Sequence, residues 1–423
     1  MLTLSTLLKY YKREDIQKAI VQNAKNREVA IRFGESGFGK RPDVLNYPRD
    51  IVELAKQGAT SIHISEEHWK NPLVLMPNLR KQELDDMRTG WDLVIDIDCH
   101  VMEYSQLAAL LVVEAMRHHG IDAISCKFSG NKGFHIAIPY SAFPKKVQGF
   151  DSRLLFPDGA RRIGVYLREI IKAPLSQRIL EHEGGNIGAI TQKTNKTKQE
   201  IFRQDKTINT EAFLDIDTVL ISSRHMYRSV YSLNEKSGLS SIPIRLKELE
   251  TFSRETAKPE NVAVEVPWLK DGDAGEASKL FTSAFDFKPV ISTEEKAGAK
   301  VYKEPEGKVS EANFAPCIKQ IMLGLNDGRK RSVFILLNFL TACGYSYDEI
   351  KELLTAWNKK NNEPLKEVNL LSPVRYHQEH KKKVLPPNCS SSYYKDIGVC
   401  RPDNLCGKVK NPVNYSRRKE KYK

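Results

Sequence analysis

Apolar positions along this 423-residue chain switch between two periods, and the switches predict its elements. Residues 4–26 carry apolar side chains at helical spacing. Glu28–Phe33 then reads as a strand, residues 48–57 as a helix and Thr60–Ser65 as a strand. The clearest alternation is Trp91–His100, WDLVIDIDCH. Successive strand side chains point to opposite faces. Trp91, Leu93, Ile95 and Ile97 therefore share one face, and Asp92, Val94, Asp96 and Asp98 the other. Ser105–His119 reads as a helix, with Ser105 a candidate N-cap and Gly120 just past the end. Ala123–Phe128 is a strand, and a turn carries the chain into a return strand. Residues 150–210 are polar and helical with loops, Leu214–Leu239 reads as a strand and hairpin, and a helix falls near 275–284. Periodicity is lost over 288–312, which reads as a linker. Beyond it, Cys317–Leu323, Arg331–Ala342 and Ser346–Asn358 are helical. Residues 416–423, SRRKEKYK, read as a frayed basic tail.

Composition narrows the class. The longest clean apolar runs, Leu107–Val113 and Val333–Leu337, fall far short of the ~18 residues a membrane span needs. The first residues lack the basic lead-in and small-residue cleavage site of a signal peptide, so a cytoplasmic, nucleoid-associated protein is expected. The net charge is +13, and residues 313–423 hold 21 Lys+Arg against 10 Asp+Glu, which places +11 of it there. Such a balance points to a polyanionic partner, with nucleic acid the usual one. The alternative is a solvated lysine-rich surface. Seven cysteines in an intracellular chain suggest metal, catalysis or core filling rather than disulfides.

Four stretches carry candidate chemistry. Asp96 and Asp98 sit side by side on an apolar strand, where bare carboxylates are costly. Mg²⁺ or Mn²⁺ would suit their oxygens; a strand end reaching solvent is the plainer alternative. The turn Ser129–Gly133 with His135 two residues into the return strand offers a hydroxyl, amides and Lys132 to phosphate, or is simply a tight hairpin. Gly34–Pro42, with Lys40 and Arg41, is a glycine-rich loop of the same ambiguous kind. Asp215 and Asp217, near Arg228 and Lys236, add carboxylates and cations that two-metal phosphoryl transfer can use. Cys389, Cys400 and Cys406, with Cys317 upstream, suit Zn²⁺ or an iron–sulfur cluster. Cys99, Cys126 and Cys343 lie in apolar elements and read as core filler.

Together these segments resemble the archaeo-eukaryotic DNA primase family. Residues 1–287 look like its catalytic small subunit, on Arg27-Glu28, the GFGKRP loop, VIDID, SGNKGFHI and the run ID…R…SLNEKSG. The resemblance implies an α+β fold with a mixed catalytic sheet. It makes Asp96, Asp98 and Asp217 the catalytic metal carboxylates, with Asp215 the runner-up for the third. Arg27, Lys40, Arg41, Ser129, Lys132, His135, Arg228 and Lys236 would contact the nucleotide. Asn234 stands where the family usually has histidine, and the family's zinc knob has no cysteines here. Residues 313–415 look like the C-terminal domain of the family's large subunit, on APC, GRKRSVF, YHQEH, PPNC, GVC and NLC. That implies a small helical domain with a [4Fe–4S] cluster on Cys317, Cys389, Cys400 and Cys406, Zn²⁺ being the alternative. Arg329, Lys330, Arg331 and Arg375 would hold template, assisted by Lys381–Lys383.

The expected activity is primer synthesis on single-stranded DNA from nucleoside triphosphates, by a nucleotidyltransferase fusing the working parts of both subunits. Other replication proteins are candidate partners, and no membrane is. The rivals are a primer-extending or repair polymerase, a D-x-D glycosyltransferase, which leaves the basic cysteine segment unexplained, and a non-catalytic nucleic-acid-binding protein.

Overall fold

The computed structural model describes residues 2–76, 79–202, 207–216, 221–288, 307–325, 328–380, 384–391 and 393–421. The chain divides into two compact units, Met1–Val290 and Ile291–Lys423. The architecture is α+β, with all described strands in the first unit.

In that unit α1 (Leu4–Tyr11) and α2 (Glu14–Ala24) lead into β1 (Val29–Arg32), and α3 (Pro48–Lys56) precedes β2 (Ser61–Ser65). A short ribbon follows, β3 (Glu67–Trp69) and β4 (Arg88–Trp91), with helix α4 (Lys81–Met87) between them. β5 (Leu93–Cys99) runs into α5 (Met102–His118), then β6 (Ser125–Phe128) and β7 (Phe134–Ile138). β8 (Lys146–Val147) and β9 (Phe150–Asp151) form a small ribbon before the long α6 (Asp158–His182). The strands β10 (Leu214–Ile216), β11 (Met226–Arg228) and β12 (Pro243–Ile244) complete the sheets.

One sheet has the order β10-β5-β7-β6-β12 and a second the order β1-β2-β11. Every pairing in both is antiparallel rather than mixed in direction. The hairpin after β6 dictates this locally, because a short turn can only reverse the chain. Leu93, Ile95 and Ile97 are fully buried on the β5 face opposite the aspartates, and α5 packs on β5 and β7. Trp91 anchors the same side among Phe143, Phe156 and Phe281. Ser105, expected as an N-cap, lies inside α5, which begins three residues earlier behind Val101.

The second unit is built on helices Pro316–Met322, Arg329–Ala342, Tyr347–Asn358, Glu367–His380 and Pro412–Lys421. Phe314, Ile318, Phe339, Leu354 and Trp357 form its core, and Trp357 Nε1 donates to the Ile321 carbonyl at 2.6 Å. Two boundaries differ from expectation. Val309 is already buried and its N–H bonds to Cys343 O, so this unit begins inside the stretch read as linker. The basic tail is a correction too: residues 416–421 belong to the final helix. Val413 and Tyr415 are buried there, Arg417 donates to Ala342 O at 2.8 Å, and Glu420 accepts from Asn313 at 2.5 Å. Lysine and arginine stems can cover apolar surface while their charges stay wet, which is why the composition looked like a tail.

Deleting residues 412–423 is therefore expected to destabilise this unit by roughly 4 kcal/mol, about 2 kcal/mol for each of Val413 and Tyr415. Urea unfolding of the full and shortened chains, followed by circular dichroism, checks it. An unchanged midpoint would mean a tail after all.

Candidate active site

The antiparallel ladder sets which residues meet. Asp96 stands opposite His135 on β7, and Asp98 opposite Asp215 on β10. Directly paired strand residues have Cβ atoms about 5 Å apart on one face. His135 Nε2 lies 3.4 Å from Asp96 Oδ1. Asp98 reaches solvent at the strand end, yet packing around it pushes its carboxyl up, against the pull of His100, Lys132 and Lys236. Asp217 lies outside the described residues.

The turn after β6 closes over this end of β5. Ser129 N–H donates to Gly133 O at 2.9 Å, and Gly133 N–H to Ser129 Oγ at 3.2 Å. A Cβ on Gly133 would meet Ile97 O at 2.3 Å and Asp98 Oδ1 at 3.1 Å, so only glycine fits. Ser237 Oγ donates to Gly130 O, tying the turn to the 234–241 segment. Asn234 Oδ1 accepts from Lys236 N at 2.9 Å and Ser237 N at 3.2 Å. Asn234 thus shapes the loop with its carbonyl.

Asp96, Asp98, Ser129, His135, Arg228 and Asn234 line one cavity of about 250 Å³ between the two sheets. Arg228 is buried, which lowers its pKa; it donates to Leu233 O at 2.7 Å and Glu235 Oε2 at 3.0 Å. Lys132 Nζ lies 3.2 Å from His100 Nδ1, and Lys236 is exposed. Burial first, then Lys127 and Arg228, hold the His135 imidazole well below its usual pKa. Its buried Nδ1 has no hydrogen-bond partner among the described residues.

Three expected nucleotide contacts are placed otherwise. Arg27 is buried against Asp92 and donates to the carbonyls of Ser65 and Glu66, outside this cavity. Arg41 bonds to Glu28 Oε1 at 2.9 Å and Arg224 O at 3.0 Å, and Lys40 is exposed on its loop. Sequence reading missed His63, Glu66, His225 and Tyr227, which also line the cavity. His225 Nδ1 is 2.6 Å from the buried Glu66 carboxylate. His63 had a signal: like Asp96, it is a polar residue alternating with isoleucines on a strand.

In the second unit Cys317, Cys389, Cys400 and Cys406 are half-buried free thiols. Burial, then the charge of Cys389 and more weakly of Cys406 and Cys400, pushes the Cys317 thiol up to about 12. The four feel one another. Among the described residues, however, no three His, Cys, Asp or Glu side chains have metal-holding geometry. That geometry is the one a single ion such as Zn²⁺ requires. For the aspartates the test differs, because Mg²⁺ is usually bound by one or two carboxylates plus substrate phosphates. The Asp96/Asp98 pair, in a cradle a Cβ would fill, fits that. Arg329 pairs with Glu363 and Arg331 lies 3.7 Å from Asp396; Lys330 and Arg375 are exposed. Lys381–Lys383 lie outside the described residues.

Residues 307–422 match the family described as the C-terminal domain of the eukaryotic and archaeal DNA primase large subunit. DNA primase small subunit PriS of Pyrobaculum aerophilum is 28% identical over 206 residues, 40% of this chain and 58% of that protein. An uncharacterized protein of Methanocaldococcus jannaschii, MJECS07, is 30% identical over 118 residues, 28% of this chain and 26% of that one. The chain thus spans less than two thirds of these relatives. Among solved structures, the polymerase domain of Mycobacterium tuberculosis Ligase D in complex with DNA aligns over 70% of this chain and 93% of its own, at 15% identity and TM-score 0.38. No described helix is long and apolar enough to cross a membrane.

Arg27→Ala is expected to destabilise the fold by about 3–5 kcal/mol, the cost of leaving a buried partner charge uncompensated. Arg27→Met with Asp92→Leu should recover most of it. Denaturant midpoints measure this; loss of triphosphate binding at unchanged stability would return Arg27 to the nucleotide contacts.

Proposed function

We propose that this chain is a DNA primase: a nucleotidyltransferase that starts short strands on single-stranded DNA, with the catalytic part of a small subunit and the C-terminal part of a large one in a single polypeptide. The observation that carries the reading is the cavity in which Asp96 and Asp98 face the Ser129–Gly133 turn, His135 and Arg228, in a chain whose residues 307–422 match a primase family.

Asp96 and Asp98, with Asp215 across the ladder or Asp217, hold divalent cations. Bound Mg²⁺ or Mn²⁺ supplies activation of the attacking 3′-hydroxyl and charge relief on the leaving pyrophosphate. The remaining work belongs to the chain's own groups. Ser129 donates its hydroxyl proton and the turn its amides to phosphate oxygens. Neutral His135 donates without adding charge, and Arg228 is pre-aimed by Glu235. Lys132 and Lys236, already acting on Asp98, add positive charge at the edge. Lys330, Arg331 and Arg375 contact template phosphates, with Arg329 held by Glu363. A [4Fe–4S] cluster or Zn²⁺ on the four cysteines enters no step.

Primer-free synthesis on single-stranded DNA, with labelled nucleotides and Mg²⁺ or Mn²⁺, tests the reading. Wild type is expected to make short products, and Asp96→Ala/Asp98→Ala to lose roughly a thousandfold or more, the several kcal/mol that metal charge stabilisation contributes. Extension of supplied primers with no initiation would make the protein an elongating or repair polymerase. No synthesis by either route, with DNA binding retained, would make it a binding protein.

A further inference from the structure

The first unit holds a second and larger cavity, about 720 Å³, within the usual range for ligand sites. It lies at the other end of the same strand. Alternation puts Asp92 on the face of Asp96 and Asp98, and four residues of strand separate Asp92 from Asp96 by about 13 Å. Two aromatic residues stand where the cavities approach. Tyr227 lines the smaller cavity and Trp268 the larger, and Trp268 Nε1 donates to the Tyr227 hydroxyl at 3.2 Å. The buried Lys127 Nζ sits 5.5 Å from the centroid of each ring. The indole is therefore fixed along its edge by a hydrogen bond and packed against the core.

The central charge here is paired within the fold. Asp92 Oδ2 accepts from Arg27 and from His68 Nε2, the latter at 2.8 Å, and its Oδ1 accepts from Tyr140 N–H at 2.8 Å. Lys25, Glu265 and Asp271 also line the wall, and Glu265 pairs with Arg245 at 3.2 Å. With Arg27 committed to Asp92, the three carboxylates among the described wall residues, Asp92, Glu265 and Asp271, outnumber the cations Lys25 and Arg27 and do not favour a phosphate here. What the walls offer is aromatic surface on Trp268 and Tyr140 and side-chain amides on Gln22 and Asn23. Aromatic faces stack any nucleobase, and amides match base edges. A flat, neutral group with donors and acceptors at its rim suits such a slot.

We propose that this cavity receives one unpaired base of the single-stranded template, stacked against Trp268. That the strand is a template rests on the function proposed above; the stacking of a DNA base does not, and it is measurable without synthesis.

The probe is a short oligodeoxynucleotide carrying 2-aminopurine, and in a parallel series an abasic site, at each position in turn. With the intact chain, one position should show quenched 2-aminopurine, and the abasic site there should weaken binding roughly tenfold. Trp268→Leu should erase both effects while the salt-dependent binding to phosphates remains; Trp268→Phe should restore them, and thermal melts of both variants monitor folding. Equal affinity at every position, or the same position dependence in Trp268→Leu, overturns the proposal. If primer-free synthesis persists in that case, only the base slot falls. If the chain binds no single-stranded DNA, the slot and the primase reading fall together.

Discussion

An antiparallel ladder decides which side chains confront each other, and the rest of this unit depends on the ladder around β5. Side-chain direction repeats every two residues, so a slip of one position would send Asp96 and Asp98 into the core and Leu93, Ile95 and Ile97 into the cavity. Burying three aliphatic side chains under α5 is what forbids the slip. The carboxylates are thus placed by the hydrophobic effect acting on the opposite face of their own strand. Gly133 adds the second half of the constraint, because its missing side chain lets the turn approach Ile97 and Asp98 closely.

Around this frame runs a set of buried ion pairs. Glu28 accepts from both Arg41 and Arg224, and Glu67 from Arg88. Such pairs add little net stability, since desolvating the charges offsets their attraction. Their geometric effect is larger. Glu28 joins the loop after β1 to the segment leading into β11, and so helps fix where His225, Tyr227 and Arg228 begin. Arg41, expected to meet phosphate, takes part in this tie.

The legibility of the sequence followed the same division. The strand carrying Asp96 and Asp98 and the hairpin turn with His135 were readable because alternation and glycine placement are local signals. The Arg27–Asp92 pair was not readable because the two lie 65 positions apart and nothing local shows it. Glu66 and His225 were invisible for that reason: they meet only when β2 and β11 pair. The last helix was misread because Val413 and Tyr415 are too few to set a period amid lysines and arginines. Asp215 became the described partner of Asp98 through register alone, which no spacing in the sequence reveals.

Three aspartates on one strand face show how surroundings divide a single chemistry. Burial alone would raise the Asp92 carboxyl, but Arg27 and His68 overcome it and hold the group well below the usual carboxylate range. Its charge is already balanced, and its oxygens are taken. Asp96 is half-exposed beside a histidine that burial keeps neutral, so that neighbour does not cancel its charge. Asp98 faces solvent with its carboxyl raised by partial desolvation, which is the state that gains most from an arriving cation. The strand therefore changes role along its length: an ion lock at Asp92, closed by Arg27 and His68, and a carboxylate pair at Asp96 and Asp98 that faces the cavity.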